Sequence, residues 1–546
     1  MIAETRVPDP VPIALDDEGN IYLFSFNSIG ASTYPRLIAL DQQASIIWDQ
    51  TYETVALNGP RLPKLLWDGE KLRLFWLADG EIYGAIVNGA GNLMGPDLFA
   101  HDVPIMSFDA AVDRSGSTSV WFAGPLEEPG LYMFDPDRYA EGAILVDPDG
   151  VRPDIQYDAE GTLHAIWSRQ SPGPGPVPIQ YGAYPEGRFQ PGMNSTVIAP
   201  RLTGTTTFTG PTLGLDVEDA YVFWSRTLFS GLEAGRVEAE YVYFPKGDPS
   251  SVAQVQTFRV PYAFTLTYED PDGALEAGPR VALESSEELD GTHITEIAPN
   301  GGYSDELAVA LGARLGYPMR KTKPQISAAY FRDGTVKTYQ QLNFTPTNSI
   351  SPSMVSDPAG GLYLTWLEKG DVPGWGVYLS GTSPALRAAL SGLDEQDVGL
   401  LMVETAFGLT TGALLLPVAI AWGLPSFIVL ALTQSLRKSQ DELAGLGGIL
   451  SLALALLLLW AVKLAILPAI QTYVPFSAWI PVIPIWLHKP LRIGVPALIA
   501  GLSILAAWAY LARKSEGSPY RFVAIYAIVD GLLTMAVYGV FIYGAT

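Results

Sequence analysis

The sequence predicts an all-β N-terminal domain of the β-propeller type, with about six to eight blades, followed by an α-helical transmembrane domain of about four spans. Three observations predict it. A turn–strand–aromatic pattern recurs through the first part of the chain, long apolar stretches follow from about residue 395, and the charge divides unequally between the two parts. The expected boundaries are a soluble domain over 1–382 with an irregular insertion at about 246–330, a connector over 383–397 and a membrane domain over 398–546.

Each repeat opens on an Asp-containing turn and ends on an aromatic residue. Asp16-Asp17-Glu18-Gly19 leads into Ile21-Tyr22-Leu23-Phe24, and Asp68-Gly69 into Leu72-Arg73-Leu74-Phe75-Trp76. Asp113-Arg114-Ser115-Gly116 precedes Ser119-Val120-Trp121-Phe122, and Asp158-Ala159-Glu160-Gly161 precedes Leu163 to Trp167. Asp216 and Asp357 open the same signal before Trp224 and Trp366. Asp and Gly make the tight turn, alternating strands bury one face, and the aromatic ring fills the taper between neighbouring sheets. The anchors at 24, 76, 121, 167 and 224 are spaced by roughly 45–57 residues, the length of a four-stranded blade. Pro63, Pro153, Pro211 and Pro352 precede the turns. One blade cannot bury its own faces, so several must close into a ring. A β-sandwich or a row of small β-domains is the alternative these strands leave open.

The pattern resembles the repeats of the Asp-box and sialidase-like β-propellers over roughly Pro10 to Thr382, with a gap. That family expects Ser-x-Asp-x-Gly-x-Thr-Trp; the stretch from Asp357 to Trp366 comes nearest and carries extra residues. The resemblance implies the fold. No residue here matches the arginine triad or the Tyr, Glu and Asp of sialidase catalysis, so no chemistry is carried over. In the gap, Val255 to Thr267 reads as a strand and Ser304 to Leu315, with Asp305-Glu306 behind a Ser cap, as a helix. Arg320-Lys321-Thr322-Lys323 is a dense basic cluster, either a solvated turn or a contact for an acidic partner.

The net charge is −24, yet from Ser391 onward eight Lys/Arg balance eight Asp/Glu, so the soluble part carries the excess. Such a surface repels nucleic acid, which is excluded as a partner. Cysteine is absent, which excludes disulfides, thiolate metal sites and iron–sulfur clusters. His101, His164, His293 and His488 are far apart, with no pair at ligand spacing. No nucleophile elbow, phosphate-binding loop or zinc-protease motif occurs, so catalytic residues stay unassigned and no cofactor is expected. The acidic turns holding Asp147, Asp149, Asp270 and Asp272 are weak candidates for a structural Ca²⁺; they lack EF-hand spacing, and turn chemistry explains them as well.

The first apolar stretch runs from about Val398 to Leu436, where Pro417, Gly423 and Pro425 leave one span and an interfacial piece. Further spans are expected at about Leu443–Ile466, Leu491–Leu511 and Phe522–Tyr543. The proline-rich segment Leu467–Pro490 reads as an interfacial or re-entrant loop. Basic residues around Arg437 and Arg513 outnumber those at Lys489 and Arg492, which puts the Arg437 and Arg513 loops in the cytoplasm and the N-terminal domain outside. Met1 to Arg6 shows no basic region followed by an apolar run. The outward orientation therefore expects either an original N-terminus further upstream or a reversal of the topology. Glu404, Lys463 and Asp530 are ionisable residues within spans. Glu404 and Lys463, near the outer ends, pair or snorkel; Asp530, mid-span, needs a proton, a partner or the bundle interior.

These features favour a membrane-anchored extracytoplasmic propeller that binds or scaffolds. Its expected partners are the bilayer, other membrane proteins or a second copy, and a glycan. The alternatives are a polymer- or glycan-acting enzyme on the propeller face, and a transporter or channel subunit using Asp530.

Overall fold

The computed structural model describes residues 1–259 except 31, 100, 171–173 and 231–234; then 281–282, 293–300, 305–314, 324–343, 347–357, 360–369 and 374–390; then 402, 406, 410, 422–435, 445–467, 470, 474–476, 485–513 and 518–543. By contact the chain forms two compact units, the larger within Met1–Gly392 and the smaller mainly Leu393–Thr546.

The larger unit is a seven-bladed β-propeller. A short strand, β1 (Ala3–Thr5), comes first. Blade one is β2 (Ile13–Leu15), β3 (Ile21–Ile29), β4 (Ser32–Leu40) and β5 (Ile46–Thr51). Blade two is β6 (Arg61–Trp67), β7 (Leu72–Ala78), β8 (Glu81–Val87) and β9 (Leu93–Phe99). Blade three is β10 (Ser107–Val112), β11 (Thr118–Ala123), β12 (Leu131–Phe134) and β13 (Ile144–Asp147). Blade four is β14 (Gly150–Tyr157), β15 (Leu163–Arg169), β16 (Ile179–Tyr184) and β17 (Asn194–Ile198). Blade five is β18 (Thr206–Leu215), β19 (Asp219–Leu228), β20 (Val237–Pro245) and β21 (Gln256–Phe258). Blade six adds β22 (Val281–Ala282) to the outer edge of β23 (His293–Pro299), β24 (Leu307–Arg314), β25 (Gln325–Arg332) and β26 (Thr335–Gln341). Blade seven is β27 (Ser349–Ser356), β28 (Leu362–Lys369) and β29 (Trp375–Gly381).

Every blade is an antiparallel meander, and the first strand of each contacts the first strands of its neighbours around the whole circle. β1 closes the ring: it pairs with β29 and supplies the outermost strand of blade seven. The second strand of each blade is buried on both faces, as in β7, β11 and most of β3 and β15. A sheet standing radially between two others has no solvent face, so these strands are apolar throughout and do not alternate. Trp76, Trp121, Trp167 and Trp224 lie on second strands and are fully buried, filling the wedges between blades. The rings of Trp121 and Trp167, from adjacent blades, sit 5.9 Å apart.

The gap at 246–330 contains, among the described residues, the end of blade five and most of blade six. One expectation there is corrected. The stretch within Ser304–Leu315 forms β24, not a helix. Its Leu307-Ala308-Val309-Ala310-Leu311 run has helical propensity, but each of these residues is buried, and the second-strand position overrides local preference. β21 lies in the stretch expected as a strand from Val255. The Arg320–Lys323 cluster lies outside the described residues.

A short helix, α1 (Pro384–Leu390), packs on β29. The smaller unit contains α2 (Leu424–Ser435), α3 (Leu446–Ile466), α4 (Ile485–Ala512) and α5 (Pro519–Tyr543). The last three are long and apolar enough to cross a bilayer, and α2 is a shorter apolar helix. The protein is an integral membrane protein on this ground. α4 starts earlier than Leu491 and carries Pro490 and Pro496 within it, so the end of the expected loop is helical; prolines persist in membrane helices where neighbours satisfy the freed backbone groups.

Candidate functional site

Two devices in the propeller explain the sequence signals. The first is the Asp turn between the first and second strands of a blade. In blade one, Oδ1 of Asp16 accepts from the backbone N–H of Glu18 and Asn20, both at 2.9 Å, and Oδ2 accepts from the Tyr22 hydroxyl at 2.9 Å. In the same way Asp68 takes Arg73 Nε at 2.8 Å, Asp158 meets His164 Nε2 at 2.9 Å, and Asp216 takes the Tyr221 hydroxyl at 2.9 Å. One carboxylate thus caps the turn and clamps a side chain on the following strand. His164, whose Nδ1 lies 2.6 Å from the Tyr181 hydroxyl, looks at first like part of a catalytic triad. It holds the position that Tyr22 and Tyr221 hold elsewhere, and it is buried, so the arrangement is a clamp. His164 and the backbone N–H of Thr162 outweigh burial and hold the Asp158 carboxyl down at about 2.

The second device lies on the first strands, which line the centre of the ring. Leu62, Arg152, Gly210 and Ser351 have positive φ (53°, 54°, 105° and 55°), each is followed by one of the four prolines, and each sits at a break in strand register. These bulges turn backbone N–H groups out of the ladder. Acids on the first strand of the preceding blade, or just before it, take up groups at or beside them. Asp9 Oδ2 accepts from Leu62 N at 2.6 Å, Asp154 Oδ2 from Leu213 N at 3.2 Å, and Glu296 from Ser351 N. Asp109 Oδ2 accepts from Ile155 N at 2.8 Å. Burial raises the pKa of Asp9 and of Glu296.

The carboxylates converge at blades two to four. Lys64 Nζ lies 2.5 Å from Asp109 Oδ1, and 36% of the Lys64 side chain remains accessible. Burial, and next the charge of Asp109, push Asp154 well above the usual carboxylate range against the pull of Lys64. Burial of Lys64 is outweighed by Asp109 and Asp154, and its pKa rises. An acid with a raised pKa beside a second carboxylate and an amine has the parts for general acid–base chemistry. The sequence offered no motif for this group. Its only signal was an acid or a lysine flanking the bulge prolines, as in Pro63-Lys64 and Pro153-Asp154.

A third feature is on the rim. The outermost strands of blades one, two and three, β5, β9 and β13, expose Ile46, Ile47, Met94, Leu98, Ile144 and Leu145, each 47–56% exposed. The corresponding strands of blades four, five and seven expose Thr196, Thr257 and Glu4 instead.

Of the Ca²⁺ candidates, Asp147 is buried, with its Oδ2 accepting from Trp167 Nε1 at 2.8 Å and Arg169 Nε at 2.7 Å, and its Oδ1 caps Asp149 N at 3.1 Å. Asp270 and Asp272 lie outside the described residues. No group of three or more His, Asp or Glu placed to hold a metal ion occurs among the described residues. In the membrane unit, Lys463 is paired with Asp530, and both are fully buried; Glu404 lies outside the described residues.

No protein-family model matches this chain, and no curated protein matches it. Solved structures do. The polysaccharide lyase Uly1 is 8% identical at a TM-score of 0.45, covering 70% of this chain and 91% of that one. An ulvan lyase of the PL25 polysaccharide-lyase family is 10% identical at a TM-score of 0.42, covering 70% and 95%. A protein of unknown function from Dyadobacter fermentans is 13% identical at a TM-score of 0.33, covering 69% and 95%. Likeness at this level carries nothing about activity.

Proposed function

We propose that this protein is a membrane-anchored propeller that binds a partner protein through the outer edges of blades one to three, within a membrane assembly. The apolar rim carries the reading. Three consecutive edge strands, β5, β9 and β13, each expose two large aliphatic or Met side chains, while the edges of blades four, five and seven expose polar ones. Edge strands with exposed apolar residues invite pairing, and proteins blunt such edges with charge unless a partner covers them. The basic residues around Arg437 and Arg513 support an extracytoplasmic propeller. The test is co-isolation from native membranes with the tagged full chain and an Ile47→Lys/Met94→Lys/Ile144→Lys variant. A stoichiometric partner that the variant loses, at unchanged melting temperature, supports the reading; an identical set of partners contradicts it.

A second reading, an enzyme acting on a glycan or other polymer, draws support from Lys64, Asp109 and Asp154. Its test is turnover of acidic and neutral polysaccharides by the wild type against Asp154→Asn and Lys64→Met. The Lys463–Asp530 pairing favours a structural role for both residues over a transport path.

A further inference from the structure

Within the larger unit, blades six and seven and α1 line a half-open cavity of about 230 Å³. Leu342, Met354, Leu362 and Leu364 from the blades, with Leu386 and Leu390 from α1, give it a mainly apolar lining, interrupted by Gln340 and Thr382. Leu364 and Leu386 are buried and form the floor; Leu390, 41% exposed, marks the mouth. The one charged side chain in the described lining is Arg387, which is half-exposed. Arg387 has no acidic partner among the described residues. In a domain that carries the acidic excess of the chain, a guanidinium left over an apolar cavity is a subsite for an external anion.

We propose that this slot binds the chain of an anionic amphiphile: a straight aliphatic segment among the leucines, with its carboxylate or phosphate on Arg387. The leucine and methionine side chains favour an apolar guest over water at that end of the slot. The cavity is smaller than the roughly 300–1,000 Å³ of drug-sized sites, which suits one acyl chain and not a whole lipid. The ligand chemistry has two sources, a free fatty acid or an anionic lipid of the bilayer.

The test uses the full chain in phosphatidylcholine nanodiscs, titrated calorimetrically with decanoate and with decanol, empty discs being subtracted. The expected result is saturable decanoate binding, one per chain. Arg387→Gln weakens it by at least about tenfold, the loss of one charge-assisted contact, and leaves decanol binding unchanged. Leu390→Trp, a change at an exposed position, blocks both ligands at unchanged melting temperature. Weaker decanoate binding in discs containing phosphatidylglycerol assigns the bilayer lipid as the source; unchanged binding assigns the free acid. Absence of saturable binding, or binding that neither substitution alters, overturns the proposal.

Discussion

Lys463 of α3 donates to both carboxylate oxygens of Asp530 of α5, at 2.9 and 2.8 Å, and the ammonium also lies 4.5 Å from the centre of the Trp460 ring. The two helices run parallel. Ala455 shares an apolar cluster with Val523, Leu459 shares another with Tyr526, and Lys463 pairs with Asp530. Trp460 Nε1 donates to the Tyr526 hydroxyl at 2.8 Å, one turn below the ion pair. Asp530 belongs to a face of α5 that carries Tyr526, Thr534 and Tyr538 at four-residue intervals, all buried.

Removing one partner of a buried pair strands the other charge in a medium that cannot solvate it. Lys463→Met and Asp530→Leu are each expected to destabilise the membrane unit by about 3–5 kcal/mol, while the double substitution recovers much of that loss. Thermal unfolding in nanodiscs reads this double-mutant cycle. Additive losses would show that the pair contributes no coupling.

The Asp turns rank by what they hold. Asp216 accepts from Glu218 N, Asp219 N and the buried Tyr221 hydroxyl. Asp113 caps only its own turn, through Ser115 and Ser117. Asp216→Ala is expected to cost about 2–4 kcal/mol and Asp113→Ala about 1 kcal/mol, measured as shifts in denaturant midpoint.

Two propeller acids titrate in opposite senses. Asp158, at about 2 when folded against an ordinary 3.8, contributes stability that is complete above pH 4 and is lost as pH falls toward 2. Asp154 has a folded pKa above 3.8, so the native state binds the extra proton and stability declines as pH rises through that window. Asp158→Asn is therefore expected to flatten the acid limb of a stability profile. Asp154→Asn keeps an acceptor for Leu213 N, removes the decline, and leaves the protein at least as stable at pH 7. A profile from pH 2 to 8 for the three proteins decides both.

Ring closure rests on β1, whose Ala3, Glu4 and Thr5 pair with Val377, Gly376 and Trp375. Deleting residues 1–6 opens the edge of β29 and exposes the buried Val377. The expected outcome is a lower melting temperature with concentration-dependent aggregation, read by scanning fluorimetry and light scattering.

The blades were legible because Asp16, Asp68, Asp158 and Asp216 recur before aromatic strands, and the same physics acts in each. β24 was not, because an Ala- and Leu-rich run signals helix until two flanking sheets claim both its faces. The bulge prolines were visible, but their consequence, N–H groups taken up by acids of the preceding blade, depends on contacts between blades that no local pattern encodes. Asp530 was legible as a costly residue. Its partner was not, since counting from the expected span ends puts Lys463 and Asp530 at different depths. The observed register and the tilt of helical side chains toward the helix N-terminus bring the Lys463 ammonium level with Asp530.

The most direct test of the partner-binding account is site-specific photocrosslinking in native membranes, with the photoreactive residue placed in turn at Ile47, Met94, Ile144, Thr196 and Glu4. The account predicts that the first three positions capture one and the same protein, and that Thr196 and Glu4 do not. Equal capture from all five positions, or capture from Thr196 and Glu4 alone, would contradict it.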